Sequence, residues 1–273
     1  MSREQRAIDL IVDVAAQFEA TAIDRKTIEA TFEVKVRRAD SRQVRYRIQA
    51  YARDTEVWVK EDGTNHLPAF CPDRHINDDG SFCMYWGDEY AIRVVDSAAA
   101  ICWWETLQEF LRLQERTAYA RRWIGDGWAH GEAARHQYRT QQAALTLGKR
   151  FVTAIRYQRL AVESVRTKNP ANSMTLLLLL DGIPICWVRK GKKHITGRQL
   201  NRRFRLRHTG TSMKRLSARS VQAHAYAQLA NELWNWKNKE EAYWKGFSTH
   251  KCCGTLDSCR LRIQEQQKET THV

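Results

Sequence analysis

The chain has 273 residues, 43% hydrophobic and 28% charged, enough for one large domain or two modest ones with a real core. Its net charge of +14 is unevenly placed: residues 1–147 hold 20 Lys and Arg against 23 Asp and Glu, and residues 148–273 hold 25 against 8. The longest strongly apolar run, Leu176 to Leu180, is far too short to cross a bilayer. Asp9 and Asp13 interrupt the opening apolar pattern, which is not that of a signal peptide, so a cytoplasmic protein with no membrane partner is expected.

Arg6 to Phe18 sets Ile8, Ile11, Val12, Ala15 and Phe18 on one face, the spacing of an amphipathic helix. Phe32, Val34 and Val36 alternate with charged residues, as do Val44, Tyr46, Ile48 and Ala50 with Arg45, Arg47 and Gln49. These predict two half-buried strands joined by Ala39-Asp40-Ser41. A third strand fits Glu56 to Glu61, ended by Asp62-Gly63. A polar, turn-rich stretch follows, and Asp96-Ser97 then opens a long helix whose expected buried face is Ala98, Ile101, Trp104, Leu107, Leu111 and Tyr119. Helix and strands in separate runs give an α+β class.

Gly125-Asp126-Gly127 breaks the helical pattern, and Trp128 to Leu147 is predicted helical up to Gly148. Phe151 to Val165 reads as strand or helix. Leu176 to Leu180, Asp181-Gly182 and Ile183 to Val188 predict a hairpin, and Ser217 to Phe247 a helix with Val221, Ala225, Leu229, Leu233 and Trp236 facing inward. The change of charge and pattern places a domain boundary at 148, with residues 149–273 forming a basic C-terminal extension with a cysteine-containing tail. Such a basic half attracts an acidic partner or nucleic acid, most directly through Arg198 to Arg207. Trp187, Trp234, Trp236 and Trp244 could stack on bases, or simply pack.

Seven cysteines, an odd number spread unevenly, make a poor disulfide framework. Cys102 and Cys186 sit within apolar patterns and are expected in the core, and Cys71 is read as core or as a resolving thiol. His250, Cys252, Cys253 and Cys259 invite a zinc-knuckle reading, but adjacent cysteines rarely serve one tetrahedral ion cleanly, so metal binding stays open beside redox or packing roles. Asp126, His130 and Glu132 are either a polar first helical turn or part of a cleft.

Cys83 differs from the others. It follows Asp73-Arg74-His75-Ile76-Asn77-Asp78-Asp79-Gly80-Ser81-Phe82, with Gly80 three residues and His75 eight residues before it. An accessible sulfur on a loop, a flexible backbone beside it and a nearby N–H donor are what nucleophilic thiol chemistry needs.

That stretch resembles the active-site segment of the ubiquitin-conjugating enzyme family, His-Pro-Asn-Ile-Asn-x-x-Gly-x-Ile-Cys-Leu. Ile76, Asn77, Gly80 and Cys83 match, and Phe82 and Met84 are conservative replacements. The approach Leu67-Pro68-Ala69-Phe70 is similar too, and the likeness covers residues 5 to 120. It implies an N-terminal helix, an antiparallel four-stranded meander and a long crossing helix over residues 1–148. The family's His-Pro-Asn falls on Asp73-Arg74-His75, so His75 stands where an asparagine usually steadies the oxyanion or the loop. An imidazole can also supply an N–H, or take a proton from the attacking nucleophile. The departure resembles the divergent bacterial branch, found in operons with an activating enzyme, a ubiquitin-like modifier and a deconjugating peptidase, several of them linked to antiphage defence. The resemblance implies that Cys83 takes the modifier as a thioester and passes it to an amine of a protein target, with His75 assisting and no cofactor. Asp78, Asp79, Asp88 or Glu89 would hold or deprotonate the incoming ammonium. The competing reading is an inactive scaffold of this fold with a basic binding domain.

Overall fold

The computed structural model describes residues 1–38, 40–63, 66–85, 91–125, 127–165, 174–189 and 221–271. The chain falls into two units, Met1–Trp128 with Gly246–Val273, and Ala129–Lys245. The division therefore comes twenty residues before the expected boundary at 148, and the C-terminal tail belongs with the N-terminal unit.

In the first unit, Ser2 caps helix α1 (Arg3–Val14) by accepting the N–H of Gln5, and a 3-10 turn, Ala15–Phe18, continues it. Strands β1 (Ala20–Arg25), β2 (Glu29–Arg37), β3 (Gln43–Arg53) and β4 (Glu56–Glu61) follow as an antiparallel meander in the order β1-β2-β3-β4. Helix α2 (Ser97–Ala120) starts at Asp96, whose side chain accepts the N–H of Ala99. The alternation read from the sequence holds: Phe32, Val34, Val36, Tyr46, Ile48 and Ala50 are all buried in one core with Ile8 and Ile11 of α1. Strand β1 was not legible, because after Ala20 its residues are exposed and carry no apolar alternation.

The buried face of α2 is Ala100, Trp103, Trp104, Leu107, Phe110 and Leu111. Two indoles fix the helix on the sheet and on α1: Trp103 donates to the carbonyl of Val57 and Trp104 to that of Ile11, each at 2.9 Å. This corrects part of the expected stripe. Ala98 is exposed and Tyr119 is 94% exposed. Cys102 is exposed rather than core, because the helical period turns it away from the face that 100, 103, 104 and 107 share.

In the second unit, helices α3 (Ala133–Leu147) and α4 (Lys149–Arg156) meet at Gly148, whose φ of 102° suits only glycine. The stretch that read as strand or helix is both: α4, then strand β5 (Leu160–Val165). It pairs with β6 (Thr175–Leu180), which pairs in turn with β7 (Ile183–Arg189) in a three-stranded antiparallel sheet. Asp181 and Gly182, both at positive φ, form the two-residue turn of the predicted hairpin. Helix α5 (Val221–Gly246) buries Ala223, Ala225, Ala227, Leu229 and Ala230, so the expected face is right at Ala225 and Leu229, while Val221 is exposed. Cys186 lies in this core as expected. The basic run Arg198 to Arg207 lies outside the described residues. No helix among the described residues is long and apolar enough to cross a membrane.

Candidate active site

Strand β4 is the last strand of its sheet, and its free edge would expose unpaired backbone groups. The chain after it returns to cover that edge. Phe82 donates its N–H to the carbonyl of Val59 at 2.8 Å, and Lys60 bridges to Ser81. Further along, Val94 donates to Thr55 at 2.7 Å. The segment 71–83 is thereby held against the sheet, with Ile76 and Phe82 buried in the core and Phe82 stacked on Phe110 of α2 at 4.9 Å.

Within that segment the backbone folds back on itself. Gly80 donates to the carbonyl of Asn77 at 3.0 Å, closing a turn that needs a left-handed residue, and Gly80 supplies a φ of 78°. On either side, Asn77 donates to Ser81 and Cys83 donates to His75, each at 2.8 Å, and Ile76 pairs with Phe82. This register places His75 directly opposite Cys83. The next pair, Ile76 and Phe82, faces the core. The eight-residue interval between His75 and Cys83 is thus the span of one tight hairpin.

His75 ends the 3-10 turn Pro72–Arg74 with a left-handed backbone, φ 56°. Its ring packs on Trp123 with centroids 4.9 Å apart. Its Nε2 lies against Gly127, where an added Cβ would sit 2.3 Å away. Arg74, one residue earlier, is buried. Its Nε donates to Oε1 of Gln114 at 2.8 Å and its Nη2 to the Gln114 carbonyl at 3.3 Å. Gln114 returns a bond from Nε2 to the Arg74 carbonyl at 2.6 Å. Burial pulls the guanidinium below its ordinary value, and the negative groups around it offset that only in part. Arg74, Gln114, Trp123 and Gly127 were not legible as site residues, because a reciprocal bond between residues forty apart leaves no spacing to read.

The Cys83 thiol is half-buried, and burial raises its pKa above the ordinary thiol value of 9.0. Tyr85 follows closely. Burial raises its pKa as well, with the negative charges of Glu56 and Cys83 adding to the effect. Of the acidic residues considered for the incoming amine, Asp78 and Asp79 sit exposed at the hairpin turn. Asp79 accepts both the N–H and the hydroxyl of Ser81, at 2.9 and 2.5 Å. Burial works against its ionisation, yet those bonds and Arg53 outweigh it and lower its pKa. Asp79 is therefore a turn-former. Asp88, Glu89 and Asp126 lie outside the described residues.

His130 and Glu132 are used inside the second unit. His130 donates its N–H to Glu240 at 2.9 Å, and its Nδ1 meets the same carboxylate at 2.6 Å, while Glu132 is paired with Lys239. Trp244 donates to Glu240 at 2.8 Å and is buried, the packing role rather than an open stacking surface.

Two known families match parts of the chain. Residues 18–124 match the prokaryotic E2 domain, E2 being the ubiquitin-conjugating component, and residues 129–261 match the cysteine-rich domain found C-terminal to the E2 domain. No curated protein and no solved structure matches the chain.

Proposed function

We propose a thioester-transfer reaction at Cys83, from the premise that this chain belongs to the prokaryotic E2 proteins, with the cysteine-rich C-terminal domain that accompanies that domain. An E2 domain implies, in general, a conjugating role that engages a ubiquitin-like modifier and an activating enzyme. The observation that supports Cys83 as the acceptor is its place: a half-buried thiol at the open end of a hairpin clamped to the sheet edge and, through Arg74 and Gln114, to α2.

In the proposed reaction, the Cys83 thiolate attacks the carbonyl of the modifier's C-terminal thioester on the activating enzyme. The activating enzyme's thiolate leaves, and Cys83 now holds the acyl group. A neutral target amine, most simply a lysine, then attacks that carbonyl. The tetrahedral intermediate expels the Cys83 thiolate, the better leaving group, and the nitrogen gives up a proton as the amide forms. His75, opposite Cys83 in the hairpin, supplies an N–H to the developing oxyanion. Asp78, exposed at the turn, is the described carboxylate with room to meet an incoming ammonium. A bacterial conjugation pathway acting against phage is the setting the sequence resemblance implies.

The test is incubation with the cognate activating enzyme, ATP and the ubiquitin-like protein, followed by a non-reducing gel. The account expects an adduct that thiol reductant removes, absent in Cys83→Ala and retained in Cys102→Ala, which alters an exposed thiol on the outer face of α2. A wild-type chain that forms no adduct would leave the inactive-scaffold reading standing.

A further inference from the structure

The tail of the first unit returns to the segment that carries His75. Phe247 and His250 pack on Phe70, with centroids 5.1 and 5.0 Å away, and on each other at 5.1 Å. Leu256, Cys259 and Leu261 are buried. His250 is thus engaged in ring packing, and among the described residues no three or more His, Cys, Asp or Glu side chains are grouped to hold a metal ion. Rings, hydrogen bonds and buried apolar side chains fasten the tail.

One short stretch of it holds two places in the chain. Arg121 caps α2 with a left-handed backbone, φ 52°. It donates from Nε to Asp257 Oδ1 at 2.8 Å and from Nη2 to the Gly254 carbonyl at 3.2 Å, and Asp257 returns its N–H to the Arg121 carbonyl at 2.9 Å. Just beyond, Arg260 opens helix α6 (Arg260–Thr271) and donates its N–H to Asp73 Oδ2 at 3.2 Å. A carboxylate there satisfies one of the helix's unpaired first donors and suits the sign of its dipole.

Both places lead to the same imidazole. Asp73 lies in the Pro72–Arg74 turn, which His75 ends at φ 56° with its N–H bonded to the Pro72 carbonyl at 2.8 Å. Arg121 stands just before Trp123, the ring on which His75 packs at 4.9 Å. A Cβ on Gly127 would lie 2.3 Å from His75 Nε2 and 3.1 Å from Trp123 Nε1, so one glycine closes on both rings. The indole is placed by packing: its Nε1 is buried with no hydrogen-bond partner among the described residues. A buried orphan donor and a left-handed histidine each cost free energy. Such a seat persists where the surroundings over-determine it.

We propose that Gly254–Arg260 is a strap that positions the His75 imidazole, with Arg121 and Asp257 as positioning residues for amine transfer from Cys83. The proposal rests on the roles assigned above to His75 and Cys83. Through Arg121 the strap holds the backbone that carries Trp123, and through Asp73 it holds the turn that carries His75. The side chains of Arg121 and Asp257 are 48% and 65% exposed, so their ion pair adds little stability, and its loss acts on where the ring sits.

The test uses the full chain as wild type, Arg121→Ala, Asp257→Ala and the double variant. The His75 ring resonances, assigned with His75→Gln, report the seat. Single-turnover discharge of the Cys83 thioester onto free lysine reports the reaction. Both single variants are expected to displace the His75 resonances, to keep the loading of Cys83, and to slow discharge about ten- to a hundredfold, the scale on which misplacing a reacting group acts. The double variant should be no slower than Arg121→Ala, because both changes break one pairing. Arg112→Ala, which breaks an exposed pair with Glu109 on α2, should leave both readouts unchanged. Undisplaced His75 resonances overturn the strap, and so does discharge at the wild-type rate with the resonances displaced. Equal slowing in Arg112→Ala overturns it too, since any surface ion pair would then serve. A wild-type chain that takes no thioester defeats the reading of Cys83 instead, and the resonances then decide whether the tail seats His75.

Discussion

The Arg74–Gln114 clamp makes the firmest energetic prediction. Arg74→Ala removes the 2.8 Å donor to the buried Oε1 of Gln114, and leaving such an acceptor unpaired costs about 1–3 kcal/mol. It also takes two stem methylenes, Cγ and Cδ, out of a packed site, at about 0.8 kcal/mol each. Relief of the buried charge returns part of this, so the expected net loss is about 3 kcal/mol. Urea unfolding followed by the fluorescence of the ten tryptophans measures it. Because the two side chains bond reciprocally, a double-mutant cycle with Gln114→Ala should give a coupling of about 1–3 kcal/mol. A loss below about 1 kcal/mol, or additive single mutants, would refute the idea that this pair fastens the hairpin to α2.

Other outcomes follow from the same site. Gly127→Ala places a Cβ 2.3 Å from His75 Nε2, so the imidazole must move. A stability loss of about 1–3 kcal/mol with displaced His75 ring resonances is expected, and unchanged resonances would contradict the seating against Gly127. Gly80→Ala meets only the Ala69 carbonyl, at 3.9 Å, so its cost is conformational, about 1 kcal/mol by urea unfolding. Because burial raises the Cys83 thiol above 9.0, its thiolate is scarce at neutral pH. Its alkylation by iodoacetamide, read by peptide mass spectrometry, should climb about tenfold per pH unit from about pH 7 to 9, and a plateau near neutrality would show a depressed pKa instead.

What the sequence disclosed followed from how each residue's role is encoded. Period-two alternation marked β2 and β3, because one face of each is buried and the other wet. Asp96-Ser97 marked the start of α2 because a capping side chain is a local device. Strand β1 escaped, as its placement comes from pairing with β2 and not from its own pattern. Cys102 misled because an apolar neighbourhood on a helix does not say which side of the turn a residue occupies. In the candidate segment, the turn at Asp79-Gly80 was legible from its turn-forming residues, and one hairpin of nine residues joins His75 to Cys83. The return of the tail to this segment, where Phe247 and His250 pack on Phe70 and Arg260 donates to Asp73, was not legible, because only the folded chain closes so long an interval.

The central claim concerns which sulfur receives the modifier. Load the protein with its activating enzyme, ATP and the ubiquitin-like protein, digest it without reductant, and map the modified peptide by mass spectrometry, for the wild type and for Cys83→Ser. The account predicts a single thioester on Cys83, replaced in the serine variant by an ester that survives reductant. A modifier attached at any other cysteine, or equal thioester loading of Cys83→Ser, would contradict it.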